Sequence, residues 1–276
     1  YNRDKAVTNA LADECGLVPT DSAEALVDSL ESSRLVWLML PAGEITESYV
    51  QQMRDLLRPG DVLVDGANSF YKDSMRRGQL LAESGIHFID AGVSGGVWGL
   101  DNGYALMVGG PDDAFAKLQP VIEALAPAAD RGWVHTGPVG SGHFTKMIHN
   151  GIEYGMMQAY AEGFALMKGR EDFGLDLARI SESWRHGSVV RSWLLDLSAA
   201  VLADDQDLAG VEPFVADSGE GRWTALEGIE QGIPTPVMSL ALMARFSSQG
   251  QQDYSAKLLA MMRNQFGGHD VRSTDD

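Results

Sequence analysis

The chain has 276 residues, of which 45% are hydrophobic and 22% charged, a composition typical of a globular protein with room for two domains. Its formal net charge of −18 argues against a nucleic-acid-binding or anionic-membrane surface, so an anionic ligand must be met by a local basic pocket. The single cysteine, Cys15, excludes an internal disulfide framework, and no apolar run approaches the roughly 20 residues that span a bilayer. We therefore expect a cytoplasmic protein with neither a nucleic-acid nor a membrane partner.

The first half of the chain alternates apolar runs with helical patterns. Continuous apolar runs suit strands that are buried on both faces of a parallel sheet. Strands are predicted at 35–40, 61–65, 87–90 and 106–108, and helices at 6–14, 44–58, 73–84 and 112–125. This order predicts an α/β Rossmann-type domain over residues 1–139.

The start of the chain resembles the end of a strand followed by a turn. In a dinucleotide-binding fold, an acidic residue at the end of the second strand contacts the ribose, whereas an arginine there accommodates a 2′-phosphate. Asn2 and Arg3 stand at that place and favour NADP over NAD, although a solvated surface arginine would look the same. Because no G-x-G-x-x-G motif occurs in the sequence, we expect the first strand and the glycine-rich loop to lie upstream of Tyr1.

Three segments follow predicted strands at the carboxyl ends, where ligands of such sheets bind. They are Leu40-Pro41-Ala42, Asn68, and Ser94-Gly95-Gly96. Glycines let backbone N–H groups approach an anion closely, and a serine adds a hydroxyl donor. A plain turn would show the same Ser-Gly-Gly tripeptide.

A helix predicted at 143–160 carries all its polar chemistry on one side. At about 100° per residue, one stripe roughly 140° wide contains Lys146, His149, Asn150, Glu153 and Tyr154. The other residues are mostly apolar, which predicts a helix buried on most of its surface. Since burying Lys and Glu without partners is costly, the stripe forms either a structural ion pair or one wall of a ligand cleft. From residue 140 to 276 the pattern is helical and predicts an all-α domain.

Three strings support a family resemblance. GHFTKMIHNGIEYGMMQ at 142–158 resembles the active-site helix of the 6-phosphogluconate dehydrogenases, in the β-hydroxyacid dehydrogenase superfamily, and DGANS at 65–69 and GVSGGVWGL at 92–100 resemble two further motifs of that family. The resemblance extends over essentially the whole chain. It implies oxidative decarboxylation of 6-phosphogluconate to ribulose 5-phosphate and carbon dioxide in the pentose phosphate pathway, with NADP, or alternatively NAD, as cofactor and no metal.

The resemblance also implies roles for individual residues. An uncharged Lys146 accepts the C3 hydroxyl proton as hydride leaves C3, and later donates a proton to the C3 carbonyl oxygen as the carboxylate is lost. Glu153 protonates C1 of the resulting enediol. The remaining implied roles are orientation of the sugar by His149 and Asn150, contact of Asn68 with cofactor and substrate, and binding of the substrate carboxylate by Ser94, Gly95 and Gly96.

Phosphate binding is implied for a set of residues in the second half of the chain. Arg191, in a G-S-V-V-R-S element, and Tyr154 are expected to bind the sugar phosphate, and a guanidinium suits a phosphate dianion well. Arg263 and His269 match an R-x-x-F-G-x-H terminus that reaches the neighbouring subunit, which implies a homodimer or a dimer of dimers. A frayed polar terminus is the alternative. For Arg222, in DSGEGRWT, a phosphate-binding role stays open: longer family members carry lysines in this turn, and Ser218 occupies one of those positions and Arg222 another.

Two departures leave alternatives open. The segments 129–132 and 169–175 are short for the family, and the glycine-rich loop is missing. One alternative is a dehydrogenase of a small unphosphorylated β-hydroxyacid, against which Arg191, Arg263 and His269 argue. The other is a non-catalytic sugar-phosphate-binding fragment, which the missing loop would suggest.

Overall fold

The computed structural model describes residues 1–250, 253–267 and 270. The chain divides into two compact units, Tyr1–Ile148 and His149–Asp276. The predicted domain boundary lies between residues 139 and 140, nine residues before this division.

The first unit contains a five-stranded sheet with helices on both faces. Its elements in chain order are α1 (Lys5–Cys15), α2 (Ala23–Asp28), β1 (Leu35–Leu38), α3 (Glu44–Leu56), β2 (Val62–Asp65), α4 (Tyr71–Ala82), β3 (His87–Ser94), α5 (Gly99–Asn102), β4 (Ala105–Gly109), α6 (Asp112–Leu125), β5 (Trp133–Gly137) and the start of α7 (Ser141–Lys168). The four predicted strands and four predicted helices are therefore confirmed, with shifts of a few residues at their ends. The short helices α2 and α5 and strand β5 were not predicted.

The sheet has the order β1-β2-β3-β4-β5, and the first three strands are parallel. The expectation of a parallel sheet is wrong for one pair, because β4 runs antiparallel to β3. Only ten residues separate Ser94 from Ala105, and a parallel pair needs a crossover of a dozen or more. Strand β5 is parallel to β4.

The sheet buries apolar side chains on both faces, which explains the continuous apolar runs. Strand β2 is buried along its whole length, with Leu63 packed in the core beneath α2, α3 and α4. Its neighbours Val62 and Val64 pack in the opposite core, beneath α6. Residues 1–4 lie in no strand, contrary to the predicted strand end; Asp4 instead caps α1 by accepting a hydrogen bond from the Ala6 amide.

In the described part of the second unit, all regular secondary structure is helical. It contains the rest of α7, followed by α8 (Leu177–Arg185), α9 (Trp193–Asp204), α10 (Glu220–Gln231), α11 (Pro236–Ser248) and α12 (Asp253–Gly267). Tyr154 of α7 packs in its core against Ala241 and Leu242 of α11. None of the described helices is long and apolar enough to cross a membrane.

Candidate active site

The amino end of α7 is attached to strand β3 by one carboxylate. Asp90 is fully buried; its Oδ1 accepts a hydrogen bond from the Gly140 amide at 2.6 Å and its Oδ2 one from the His143 amide at 2.7 Å. A negative charge at this position also interacts favourably with the helix dipole. Burial raises the pKa of Asp90, while the nearby His143 and the backbone hydrogen bonds from His143 and Gly140 act in the opposite direction.

Lys146 lies directly against the same strand. Its side chain is buried, and a Cβ added to Gly92 would lie 2.4 Å from the Lys146 Cβ. A Cβ on Gly142 would lie 2.3 Å from the Asp90 carbonyl oxygen. Glycine at both positions therefore lets α7 approach β3 closely enough to place the lysine stem over the strand.

The loop that carries Asn68 is held by a buried ionic network. Asp65 accepts hydrogen bonds from the Ala67 amide at 3.0 Å and the Ser69 hydroxyl at 2.8 Å. Arg77 is 1% exposed, and its Nη1 donates to Asp65 at 3.0 Å and Ser69 at 3.1 Å. Asn68 itself is exposed between buried neighbours, so its backbone is fixed while its side chain faces outward.

The same network continues to helix α3. Glu47 accepts hydrogen bonds from both Nη atoms of Arg76, at 3.0 and 2.7 Å, and from Arg77 Nε at 2.9 Å. The hydrogen bonds from Arg76, together with that from Arg77, lower the pKa of Glu47 from 4.5 to about 2 against the opposing effect of burial. The carboxylate stays ionised and joins α3 to α4.

The expected cofactor-binding segments lie where the carboxyl ends of β1 and β2 meet. The pairing of Leu38 with Asp65 and of Asp65 with Asp90 brings the segment 40–42, Asn68 and the segment 94–96 to one edge of the sheet. Pro41, Ala42 and Asn68 are exposed there, Leu40 and Ser94 are half-buried, and Gly95 and Gly96 have φ values of 138° and 53°. This open edge fits the part of a dinucleotide site that the described strands can supply.

Asn2 and Arg3 lie at the start of α1. Arg3 is exposed, whereas the Asn2 Oδ1 accepts a hydrogen bond from the Asp4 amide at 2.8 Å. The Arg3 side chain is therefore accessible to a ligand, while Asn2 shapes the turn before α1.

In the second unit, three of the predicted residues lie on consecutive turns of α7. His149 Nδ1 is 2.9 Å from Asn150 Oδ1 and 3.9 Å from Glu153 Oε2. Since both neighbours are oxygens, this arrangement favours a proton on Nδ1. All three side chains are half-buried. The apolar side of this helix is less buried than predicted: Ile152, Met156 and Met157 are 53%, 38% and 41% exposed in the single chain.

Tyr154 is buried, and polar and charged side chains surround it. Its hydroxyl lies 3.1 Å from the Ser218 hydroxyl, which donates to Glu220 at 2.6 Å. The guanidinium of Arg245 stacks on the Tyr154 ring, 3.4 Å from its centroid. Sequence reasoning missed Arg245, because a helical arginine in an apolar stretch gives no signal of a distant aromatic partner.

The other predicted arginines differ in their surroundings. Arg191 is exposed and lines a cavity of about 360 Å³ together with Tyr160 and Trp184. Arg222 is paired with Asp217 at 2.6 Å and stacks on Phe246, so its guanidinium already has a partner. Arg263 is exposed on α12, and His269 lies outside the described residues.

Comparison with known proteins assigns this Rossmann-type sheet followed by a helical domain to the β-hydroxyacid dehydrogenase class of oxidoreductases. Two family models match: the NAD binding domain of 6-phosphogluconate dehydrogenase over residues 1–137, and the 6-phosphogluconate dehydrogenase C-terminal domain over residues 142–262. The chain belongs to the 6-phosphogluconate dehydrogenase family.

The chain is similar to three known proteins. It is 41% identical to the NAD(+)-dependent, decarboxylating 6-phosphogluconate dehydrogenase of Haloferax volcanii, over 97% of this chain and 88% of the relative. It matches the Plasmodium falciparum 6-phosphogluconate dehydrogenase structure with a TM-score of 0.82 and 30% identity, over 100% of this chain and 61% of that one. A 3-hydroxyisobutyrate dehydrogenase from Mycobacterium tuberculosis, with a TM-score of 0.63 and 22% identity over 82% of this chain and 77% of that one, shares the fold.

Proposed function

We propose that this protein catalyses the oxidative decarboxylation of 6-phosphogluconate to ribulose 5-phosphate and carbon dioxide in the pentose phosphate pathway. The observation that carries the proposal is the buried Lys146, held against Gly92 of β3 two residues before Ser94. An amine enclosed beside a serine-glycine-glycine turn can exchange a proton with a substrate whose carboxylate the turn binds. The Plasmodium relative is described in complex with 6-phosphogluconate, which supports this choice of substrate.

In the proposed reaction, the residues of this chain bind the sugar acid and move its protons. Lys146 accepts the C3 hydroxyl proton and returns one to the C3 oxygen during decarboxylation, so the same amine serves both steps. Glu153, whose carboxylate lies near His149, protonates C1 of the enediol. Asn68, Ser94, Gly95 and Gly96 hold the carboxylate end, while His149 and Asn150 orient the hydroxyls.

The phosphate of the substrate is proposed to bind to a second group of residues. Tyr154 and Arg245 supply a stacked phenol and guanidinium, and the exposed Arg191 supplies a second cation. Arg263 and His269 are proposed to come from the partner chain of a homodimer. Phosphate binding far from the reacting carbons can position C3 for reaction.

NADP is the proposed cofactor, and when bound it accepts hydride from C3. Its binding residues are proposed to be Asn2, Arg3, Leu40, Pro41, Ala42 and Asn68. The exposed Arg3 supports NADP, as does the NADP+ complex of the Plasmodium relative, whereas the Haloferax relative is named as NAD(+)-dependent. Parallel measurements of kcat/KM with both nucleotides decide the preference; a higher value with NAD would reverse this assignment.

The function is tested by comparing 6-phosphogluconate with gluconate and with 3-hydroxyisobutyrate. We expect reduced cofactor and carbon dioxide to form in equal amounts from 6-phosphogluconate, and much slower turnover of the two unphosphorylated acids. Preferred turnover of an unphosphorylated acid, or cofactor reduction without carbon dioxide, would overturn the proposal. Substrate binding with no turnover would indicate a non-catalytic sugar-phosphate-binding protein.

A further inference from the structure

Three residues on one face of strand β3 contact α7 or lie at the proposed substrate site. Alternate residues of a strand point to the same side, so Asp90, Gly92 and Ser94 share a face. Asp90 binds the amides of Gly140 and His143, Gly92 contacts the stem of Lys146, and Ser94 ends the strand at the proposed carboxylate site. The same strand therefore contacts Lys146 and carries Ser94.

The attachment through Asp90 is close to the lysine along the helix. His143 and Lys146 are separated by less than one helical turn, or about 4.5 Å of rise. The carboxylate is fully buried and accepts one backbone hydrogen bond on each oxygen, so a displacement of the helix end would break at least one of these bonds. These two hydrogen bonds thus fix the position of the first turn of α7 along β3.

We propose that Asp90 is a positioning residue for the reaction: through the first turn of α7 it fixes Lys146 at the distance from Ser94 that proton transfer requires. This inference rests on the proposed function of Lys146. Asp90 contacts backbone amides and not the reacting atoms, so its contribution is expected in kcat, with substrate affinity retained. A misplacement of about 1 Å can lower a rate by about 10²-fold.

The test substitutes Asp90 by Asn, which is isosteric but can accept through one oxygen only. The matched control is Asp61→Asn. Asp61 is also buried and also accepts two backbone hydrogen bonds, from the amides of Arg34 and Arg58 at 2.8 Å each. It precedes β2, however, and so lies at the amino ends of the parallel strands, whereas Ser94 lies at the carboxyl end of β3. Both variants should lose thermal stability.

We expect Asp90→Asn to lower kcat by about 10²-fold while the Kd for 6-phosphogluconate changes by less than about threefold, and Asp61→Asn to keep kcat within about threefold. Unchanged kcat in Asp90→Asn, or an equal fall in both variants, would overturn the proposal. If Asp90→Asn does not fold, Gly92→Ala replaces it: the added methyl group meets the Lys146 stem and should lower kcat with Asp90 intact. Wild-type turnover by Gly92→Ala would equally overturn it.

Crystal structures of the two Asn variants provide a readout that does not depend on turnover. Asp90→Asn should change the distance between the Lys146 and Ser94 Cα atoms, whereas Asp61→Asn should leave it unchanged. An unchanged distance in Asp90→Asn would reject the positioning role of Asp90, even if the protein proves to have another substrate. Absence of 6-phosphogluconate turnover in the wild type, with the distance altered in the variant, would instead reject the proposed function alone.

Discussion

The buried guanidinium of Arg77 joins residues from three parts of the first unit. It joins Asp65 and Ser69 of the loop around Asn68 to Glu47 of α3. Its neighbour Arg76 binds the same Glu47 but is 53% exposed at its side chain, against 2% for Arg77. The two adjacent arginines therefore offer a direct comparison of a buried and an exposed ion pair.

Arg77→Met should destabilise the protein far more than Arg76→Met. Removing Arg77 leaves the buried Asp65 carboxylate without its cation, which costs about 3–5 kcal/mol, whereas an exposed pair contributes about 1 kcal/mol or less. Urea-unfolding free energies of the two variants give the comparison. Equal losses would show that burial of Arg77 does not determine its contribution.

Lys146→Met tests the proposed acid–base residue. We expect kcat to fall by at least about 10⁴-fold with a modest change in substrate affinity, since both proposed proton transfers depend on this amine. Lys168→Met is the control: it removes a lysine from the same helix, where Lys168 pairs with Asp207 at the surface. Near-normal turnover by Lys146→Met would reject its assigned role.

At the scale of secondary-structure elements, α3 and α4 are joined by the ionised Glu47. Its folded pKa of about 2 lies below the unfolded value of 4.5, so its contribution to stability is complete above pH 4.5 and is lost as the pH falls toward 2. The link between the two helices is therefore sensitive to acid.

Glu47→Gln should lower stability most at neutral pH, and its difference from wild type should shrink as the pH falls from 4.5 toward 2. Thermal unfolding measured across this range checks the prediction. Glu44→Gln, an exposed change in the first turn of the same helix, should show a much smaller difference. A pH-independent deficit in Glu47→Gln would show that lost packing, rather than lost charge, causes the destabilisation.

Local patterns predicted most elements but not their direction or their long-range contacts. The apolar run that forms β2 was recognisable because both of its faces are buried, and the polar stripe on α7 followed from helical periodicity. The reversal of β4 was not predicted, because strand direction depends on the connection and on tertiary pairing. Asp90 and Arg77 were missed for a similar reason, because their partners are distant in the sequence. Gly140 lies 50 residues from Asp90, and Glu47 lies 30 residues from Arg77.

At the scale of the whole molecule, the second unit leaves many apolar side chains exposed in the single chain. Exposed apolar side chains lie on α7, α9, α11 and α12, among them Met156, Val201, Leu240 and Leu258. So much apolar surface favours association with another chain. It supports the proposed homodimer, in which the tail of one chain completes the site of the other.

Removing all residues after Met262 should raise the KM for 6-phosphogluconate, because Arg263 and His269 are lost, whereas a chain ending at Asp270 should keep the wild-type value. Mixing the shortened chain with Lys146→Met tests whether the tail acts in trans. One site of each mixed dimer then combines the lysine of one chain with the tail of the other, and a low KM should reappear. An unchanged KM in the shortened chain would refute this arrangement.

The reversal of β4 determines which way the lysine-bearing helix travels. Because β4 and β5 run opposite to β3, the chain leaves β5 beside Asp90, in the amino half of β3, and α7 then advances from Asp90 toward Gly92. If the segment after Ser94 were long enough for a crossover, β4 would run parallel to β3. Helix α7 would then start near Ser94, and Lys146 would lie farther along the helix, away from Ser94. A ten-residue connection thus determines that α7 advances toward the end of β3 where the proposed substrate binds.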